Sequence, residues 1–410
     1  MNIEVLNTGT ELLLGNVINR HVAYFGQQLF PLGLRIQRQV TVPDGSPIRD
    51  ALFEAFSRCD ILLVTGGLGP TTDDITREVT AQLLSRRLAE SADVTAAIAA
   101  RLQRRGIPYR ARMQRQAMVP EGATVLPNEN GTAPGLYLPA THTSSSATPH
   151  LFLLPGPPRE LIPMFEGSVI PLLKAIIGTP PSRLCRTYHV VGMGESAVEE
   201  VIGLSLDARG DLEVGYCARP NEVDFRLIGD AATLDEVEPA VLAALGTHLA
   251  GRDGASLEEG VVRRLIALGQ TLATAESCTG GLLASRITNV PGASEIFLEG
   301  FVTYANESKI RNLNVPAKLI EEYGAVSEQV ARAMAEGVMV RSGTNFGVGI
   351  TGIAGPGGGT PEKPMGTVFI AVAQRGGSTE CRRELFPSDR ETFKQLSTQS
   401  ALDLLRLKLP

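Results

Sequence analysis

Twice in this chain a short apolar run ends in a glycine-rich turn that opens onto a helical pattern. The first run is residues 60–65 (DILLVT), followed by Gly66-Gly67 and by helical spacing over 75–84. The second is residues 271–275, followed by Glu276-Ser277-Cys278-Thr279-Gly280-Gly281 and a helix start at 282–287. Uninterrupted apolar runs of this length suit strands buried on both faces, and their alternation with helices implies layered α/β domains around parallel sheets. Two such units in 410 residues, at roughly 150 residues per domain, fit two or three domains.

The first segment, residues 1–170, places a strand at 3–8, a helix at 18–29, a strand at 60–65 and a helix at 75–84. Its stretch 139–150 (PATHTSSSATPH) is polar and low in complexity, and reads as a solvated loop between two strands. Between 171 and 183 the chain thins to IGTPPSR, a linker around Pro180. A small α+β module follows over 171–254: strand 186–191, helix 196–204, strands 212–217 and 222–228, and helix 234–245. The run AGRDGA at 250–255 marks its end near Gly254. Residues 255–410 return to α/β, with helix 258–268, strands 271–275, 296–304, 346–351 and 366–373, and a helix at 327–339.

Composition removes several function classes. No apolar run reaches the ~20 residues that span a bilayer, and the start MNIEVL lacks a basic leader with an apolar core, so no secretion signal is expected. The five cysteines are scattered and never form C-x-x-C, which points away from a disulfide framework or structural zinc and towards a reducing cytoplasm. A net charge of −6 without a basic block argues against a nucleic-acid partner. Small phosphorylated substrates remain open, because they need only one or two cations and some backbone N–H groups.

In the C-terminal segment an apolar strand delivers Ser277 to a turn, and two glycines open the next helix. Unpaired N–H groups at such a helix start suit an oxyanion or a phosphate. The alternative is that Ser277 or Thr279 only caps the helix, and spacing alone leaves both open. All five histidines (His21, His142, His150, His189, His248) precede residue 250, so no Ser–His–Asp or Cys–His arrangement can exist within this segment. A nucleophilic Ser277 would need lysine, tyrosine or a carboxylate as its base, and Lys309, after the strand at 296–304, is the attractive candidate. Its alternative is an ordinary solvated lysine at a helix start. Cys278, next door, is the rival nucleophile. The loop Thr351-Gly352-Ile353-Ala354-Gly355-Pro356-Gly357-Gly358-Gly359 follows another apolar strand, and its backbone could approach a ligand without Cβ hindrance.

In the N-terminal segment, Val64-Thr65-Gly66-Gly67-Leu68-Gly69-Pro70-Thr71-Thr72-Asp73-Asp74 joins a buried strand to a helix start. Thr72 and Asp73 read as helix caps, and the adjacent Asp73 and Asp74 read alternatively as partners of a divalent cation shared with phosphate oxygens. The loop is neither a Walker P-loop nor a G-x-G-x-x-G dinucleotide fingerprint, so a nicotinamide dehydrogenase is not supported.

The blocks AESCTGG, GFVTYANESK, GAVSE, GITGIAGP and KPMGTV, in order over about 257–390, resemble the C-terminal domain of the CinA family. GTELLLGN, the Gly66–Asp74 loop, GTAPG and LPGPPRE resemble the molybdopterin-binding-like domain of the same family. The resemblance implies a three-layer α/β molybdopterin-binding-like domain, the small α+β module, and a C-terminal α/β deamidase domain. It implies hydrolysis of nicotinamide mononucleotide by a Ser277–Lys309 dyad, with Tyr304 beside it and Arg390 on the phosphate side. Pro-Ser-Asp precedes that arginine here, where Ser-Gly-Asp is more usual. Thr279, Gly280, Gly352, Ile353, Ala354 and Gly355 are the further candidates for substrate contacts. For the N-terminal domain the resemblance implies ADP-ribose pyrophosphatase activity with a divalent metal (magnesium or cobalt) on Asp73 and Asp74, in a pocket with Thr10, Glu11, Gly66, Gly67 and Gly69. No cofactor is implied for the deamidase, and a homodimer is implied for the chain. Two other readings stand beside these: a molybdopterin-binding module, and a competence-associated regulatory protein with an inactive deamidase domain.

Overall fold

The computed structural model describes residues 1–142, 147–178 and 183–409. It divides into two compact units, Met1–Arg183 and Leu184–Pro410.

The first unit is built on a six-stranded sheet in the order Ile36–Val42, Ile3–Thr8, Ile61–Thr65, His150–Leu154, Gly135–Leu138 and Thr124–Leu126. The first four strands run parallel and the last two join antiparallel. Successive side chains point to opposite faces, so the run at 61–64 supplies two cores at once. Ile61 and Leu63 pack with Phe25, Leu29 and Phe165 on one face. Leu62 and Val64 pack with Ile48 and Leu52 on the other, which makes three layers. All four are fully buried, and each such side chain contributes about 1.5–3 kcal/mol of transfer free energy.

Two expectations need correction here. The helix expected from residue 18 begins at His21, because its buried face is carried by Phe25 and Leu29, while Ile18 is 79% exposed. The linker expected over 171–183 is shorter, since Ile170–Ile177 is a helix anchored by the buried Leu173. Residues 179–182 of that linker, with Pro180, lie outside the described residues. So do 143–146 of the polar loop, which Thr141–His142 and Ala147–Thr148 flank as a short antiparallel ribbon.

The second unit holds two sheets. The first orders Glu213–Arg219, Glu222–Gly229, Leu184–Val191 and Leu249–Arg252, all antiparallel, with the helix Ala231–Leu245 packed on it through Leu234, Val237, Val241 and Leu245. The expected boundary at 250–255 is therefore half strand, and the turn comes at Asp253-Gly254. The helix expected at 196–204 is a succession of short turns, Glu195–Val198, a wider π-type turn over Glu199–Gly203, and Leu204–Asp207.

The other sheet orders Phe297–Val302, Leu272–Glu276, Phe346–Gly352, Thr367–Gln374 and Glu380–Leu385, parallel for the first three. Leu272, Val348 and Ile350 face the helices Leu257–Leu268 and Arg390–Lys408. Ala273 and Ala275 face Val330, Met334 and Val338 of the helix Glu328–Ser342. The long helix Arg390–Lys408 also holds the two sheets together: Gln399 Nε2 donates to Glu222 Oε2, and Arg406 donates to the carbonyls of Thr247 and Leu249. Among the described residues no helix is long and apolar enough to cross a membrane.

Candidate active sites

Ser277 leaves the sheet at the end of Leu272–Glu276, a strand paired on both sides. Its N–H donates to Ile350 O at 2.9 Å, and the neighbouring Thr303 N–H donates to Glu276 O at 2.8 Å, so the turn is fixed to two strand ends. The helix Asn306–Leu313 then brings Lys309 back over this edge. Lys309 is 1% exposed. Its Nζ donates to Ser277 Oγ at 3.1 Å, to Thr303 O at 2.8 Å and to Tyr304 O at 3.2 Å. None of these partners is a carboxylate, and burial holds the ammonium's pKa below its ordinary value. A lysine so placed can exist as the neutral amine and take a proton from a serine hydroxyl. Cys278 packs in the core, and burial pushes its thiol up to about 12, far from the thiolate a nucleophile needs.

The helix that follows is capped neither by Ser277 nor by Thr279. Glu276, 1% exposed, turns its carboxylate onto the helix start. Oε2 accepts from Gly281 N at 3.0 Å and Leu283 N at 3.1 Å, and Oε1 accepts from Ala284 N at 2.9 Å. Three N–H groups expected to be free for an anion are thus already used, and the Ser277 hydroxyl is left to Lys309. The N–H of Thr279, on the same turn, has no backbone acceptor among the described residues, while that of Cys278 turns to its own thiol. Sequence reading missed Glu276 as a functional residue. Its signal was a carboxylate at the buried end of an apolar strand, which must find donors.

Tyr304 is exposed and its hydroxyl accepts from Arg390 Nη2 at 2.7 Å, while Arg390 Nη1 donates to Gly355 O at 2.9 Å. Tyr304, Arg390 and Gly355 therefore meet beside the dyad. The rest of the glycine-rich loop does other work. A Cβ on Gly352 would lie 2.8 Å from Thr367 O, so that glycine serves strand packing. Ile353 N donates to Thr367 O at 2.8 Å, and Ala354 packs in the core. Gly280 takes a positive φ in the turn, and the buried Thr279 hydroxyl has no partner among the described residues.

In the first unit the parallel strands end at a cavity of about 410 Å³ that Glu11, Asp44, Gly66, Gly67, Gly69, Asp73, Asp74, Gln116, Thr132 and Glu160 help to line. Gly67 has φ +68°, and a Cβ there would lie 2.0 Å from Thr76 Oγ1, so the turn admits only glycine. Thr10 stands at the edge, its N–H and hydroxyl donating to Asp44 Oδ2 at 2.9 and 3.0 Å. Asp74 Oδ2 accepts from the Thr71 N–H at 2.9 Å and from the Thr71 hydroxyl. Asp44, Gln116 and Glu160 lie far from the loop in sequence, and only the fold brings them in.

No group of three or more His, Cys, Asp or Glu among the described residues converges to hold a metal ion. Magnesium-type cations are usually held by one or two carboxylates plus substrate phosphates. The carboxylates of this cavity fit a hard cation that arrives with a phosphorylated ligand, and do not fit a resident one.

The profile described as "CinA C-terminal domain" matches residues 254–409. That described as "Probable molybdopterin binding domain" matches 4–175, and that described as "Damage-inducible protein CinA KH domain" matches 185–245, so the middle α+β module is of KH type. A CinA-like protein of Akkermansia muciniphila is 48% identical over 402 residues, 98% of this chain and 96% of that one. A CinA-like protein of Dictyoglomus thermophilum is 41% identical over 415 residues, 99% of this chain and 98% of that one. The crystal structure of the competence/damage inducible protein CihA from Agrobacterium tumefaciens is 41% identical, with a TM-score of 0.35, covering 37% of this chain and 94% of that one. With near-complete coverage at this level of identity, and all three segments matched in order, the chain belongs to the CinA family.

Proposed function

We propose that the chain is a hydrolase of pyridine nucleotide salvage, and that its C-terminal domain converts nicotinamide mononucleotide to nicotinate mononucleotide and ammonia. Membership of the CinA family is consistent with an enzyme. The observation that carries the reading is the buried Lys309 Nζ at 3.1 Å from Ser277 Oγ, with only neutral partners. Ser277 Oγ attacks the carboxamide carbon while Lys309 takes the hydroxyl proton. Lys309 returns that proton to the departing nitrogen as the C–N bond breaks, and ammonia leaves. Water then attacks the Ser277 ester and loses a proton to Lys309, which passes it to Ser277 Oγ as the Oγ–C bond breaks, and the acid product leaves as its carboxylate. The N–H of Thr279, with no backbone acceptor among the described residues, is suited to the oxyanion of each tetrahedral intermediate. Arg390, held beside Tyr304, is suited to the substrate phosphate.

The N-terminal cavity supports a metal-dependent hydrolysis of the ADP-ribose pyrophosphate. Asp73 and Asp74 would hold a divalent cation there, which supplies neutralisation of phosphate charge. A second reading of this cavity is pterin binding, favoured by the molybdopterin-domain match over residues 4–175. Incubating the pure chain with nicotinamide mononucleotide and with ADP-ribose, and measuring ammonia and AMP, tests both activities. Ser277→Ala should remove at least about 99% of ammonia release and Cys278→Ser should retain it. The opposite result would make Cys278 the nucleophile. Absence of both products in the wild type would leave a binding or regulatory protein.

A further inference from the structure

Both ring nitrogens of His189, in the KH-type module, face carboxylates. Nδ1 lies 2.8 Å from Asp224 Oδ1 and Nε2 lies 3.0 Å from Glu222 Oε2, and the residue is 6% exposed. A neutral imidazole has one N–H and would set its other lone pair against a carboxylate oxygen, so only the doubly protonated ring satisfies both contacts. The charges of the cluster then balance. Arg219 pairs with Glu222 and Asp224, and Arg286 pairs with Glu258. Three carboxylates thus stand against two guanidiniums and the imidazolium, whereas a neutral ring leaves one carboxylate in excess. Of the neighbouring groups, Arg252 turns to Glu238, Asp253 accepts from the Thr187 N–H, and the helix Arg390–Lys408 faces the cluster with the neutral Gln399.

One amide carries this cluster towards the Ser277 turn. Glu222 Oε2 accepts from Gln399 Nε2, and Gln399 Oε1 accepts from Arg286 Nη2 at 2.6 Å. Gln399 is 3% exposed, so its amide is fixed at both ends. Arg286 lies in the last turn of the helix Leu282–Thr288, whose first turn is held by Glu276, the residue before Ser277. A helix of seven residues is too short to hold its own shape and takes its position from what grips its two ends.

We propose that the His189 cluster is a pH-responsive latch between the KH-type module and the helix that follows Ser277, closed while His189 is protonated, with Arg286 as a positioning residue for the nucleophile turn. Burial would lower the imidazole's pKa, but the hydrogen bonds with Glu222 and Asp224 outweigh it and hold the pKa above the ordinary histidine value. The latch is therefore closed below the ordinary histidine range and opens as pH rises through the raised value. His189 lines a cavity of about 230 Å³ with Arg219, Glu222 and Asp224, a space in which water can exchange that proton. The effect on catalysis rests on the deamidase reading; the latch itself does not.

Amide hydrogen exchange of the full chain from about pH 6 to about pH 9, expressed as protection so that the intrinsic rate drops out, reads the latch. In the wild type, protection over residues 283–288 should fall at least about fivefold across that range, while the helix Glu328–Ser342, outside the network, changes less than about twofold. His189→Gln, neutral at every pH, should show the open level throughout. His189→Gln with Glu222→Gln restores the charge balance and should recover protection at every pH. A flat wild type, a His189→Gln that keeps the wild-type pH response, or a double variant no better protected than the single one overturns the latch. At the acid end of the range, His189→Gln should lower kcat for ammonia release about threefold with KM changed less than about twofold, and the double variant should recover it. That loss is small beside the roughly tenfold gain per pH unit from deprotonating Lys309, so the overall rate still rises with pH. Altered exchange with unchanged kcat overturns the link to Ser277. A wild type that releases no ammonia overturns the deamidase reading, and the exchange measurement still decides the latch.

Discussion

Replacing Glu276 by glutamine is the most exposing perturbation of the deamidase site, because it keeps the side chain's shape and changes only what it can accept. The carboxylate takes three backbone N–H groups, two on Oε2 and one on Oε1. In its best orientation the amide oxygen replaces Oε2 and keeps two of them, while the amide NH₂ is left facing Ala284 N–H. Losing one hydrogen bond to a charged group costs about 1.5–3 kcal/mol, and losing the negative charge at a helix N-terminus adds about 0.3–1 kcal/mol. The helix start should therefore open more easily by about 2–4 kcal/mol, which at 1.36 kcal/mol per factor of ten is at least about 30-fold. Amide hydrogen exchange of the full chain reads this directly at Gly281, Leu283 and Ala284. Ammonia release should fall as well, since the same turn holds Ser277. A change in exchange of less than about threefold would refute the assignment of the cap to Glu276.

The proton relay is tested at Lys309. Lys309→Arg keeps the charge but cannot give up a proton, so it should lose about 10²–10⁴-fold in kcat, close to the loss in Lys309→Ala. A working arginine would show that the position supplies charge alone. Burial lowers the pKa of Lys309, so the neutral amine forms at a lower pH than for a free lysine. The deamidase kcat/KM should rise with pH and level off below the ordinary lysine range, and a rate that falls through that interval would rule out the base role. Chelation should abolish AMP formation from ADP-ribose and spare ammonia release, and Asp74→Ala should damage only the first activity. Equal loss of both under chelation would count against two separate sites.

The strands that carry the sites were legible because they are buried on both faces. Residues 61–64 (ILLV) and 346–350 (FGVGI) carry no polar side chain, which suits a central strand of a layered sheet. The edges were harder. Ile36–Val42 has three successive exposed positions at Gln37, Arg38 and Gln39, and nothing in its composition separates it from a polar loop. The long helix Arg390–Lys408 was hidden for a different reason. Its middle turn buries Ser397, Thr398, Gln399 and Ser400, so the apolar period breaks where the helix is packed most tightly. Arg286 meets that polar turn through Thr398 and Gln399, at 3.1 and 2.6 Å. Burial there is secured by hydrogen bonding, which a hydrophobic pattern cannot register.

The two candidate sites differ in the same physical sense. Ser277 and Lys309 could be paired from sequence because the absence of histidine after residue 250 leaves few other bases, and both residues sit just beyond ends of adjacent parallel strands. What sequence could not give was the allocation of donors and acceptors. Spacing made Ser277 and Thr279 equal candidates for the helix cap, and only the direction of the Glu276 side chain shows that neither is needed. That allocation decides reactivity: a serine engaged in capping would have its oxygen held by backbone N–H groups, whereas this one faces an amine. In the N-terminal cavity the loop from Gly66 to Asp74 was visible, but Asp44, Gln116 and Glu160 arrive from three distant segments. Gln116 is 1% exposed, and its Oε1 has no partner among the described residues. An acceptor left open at such a depth costs stability unless something else satisfies it, so the cavity has a polar demand that no described residue meets.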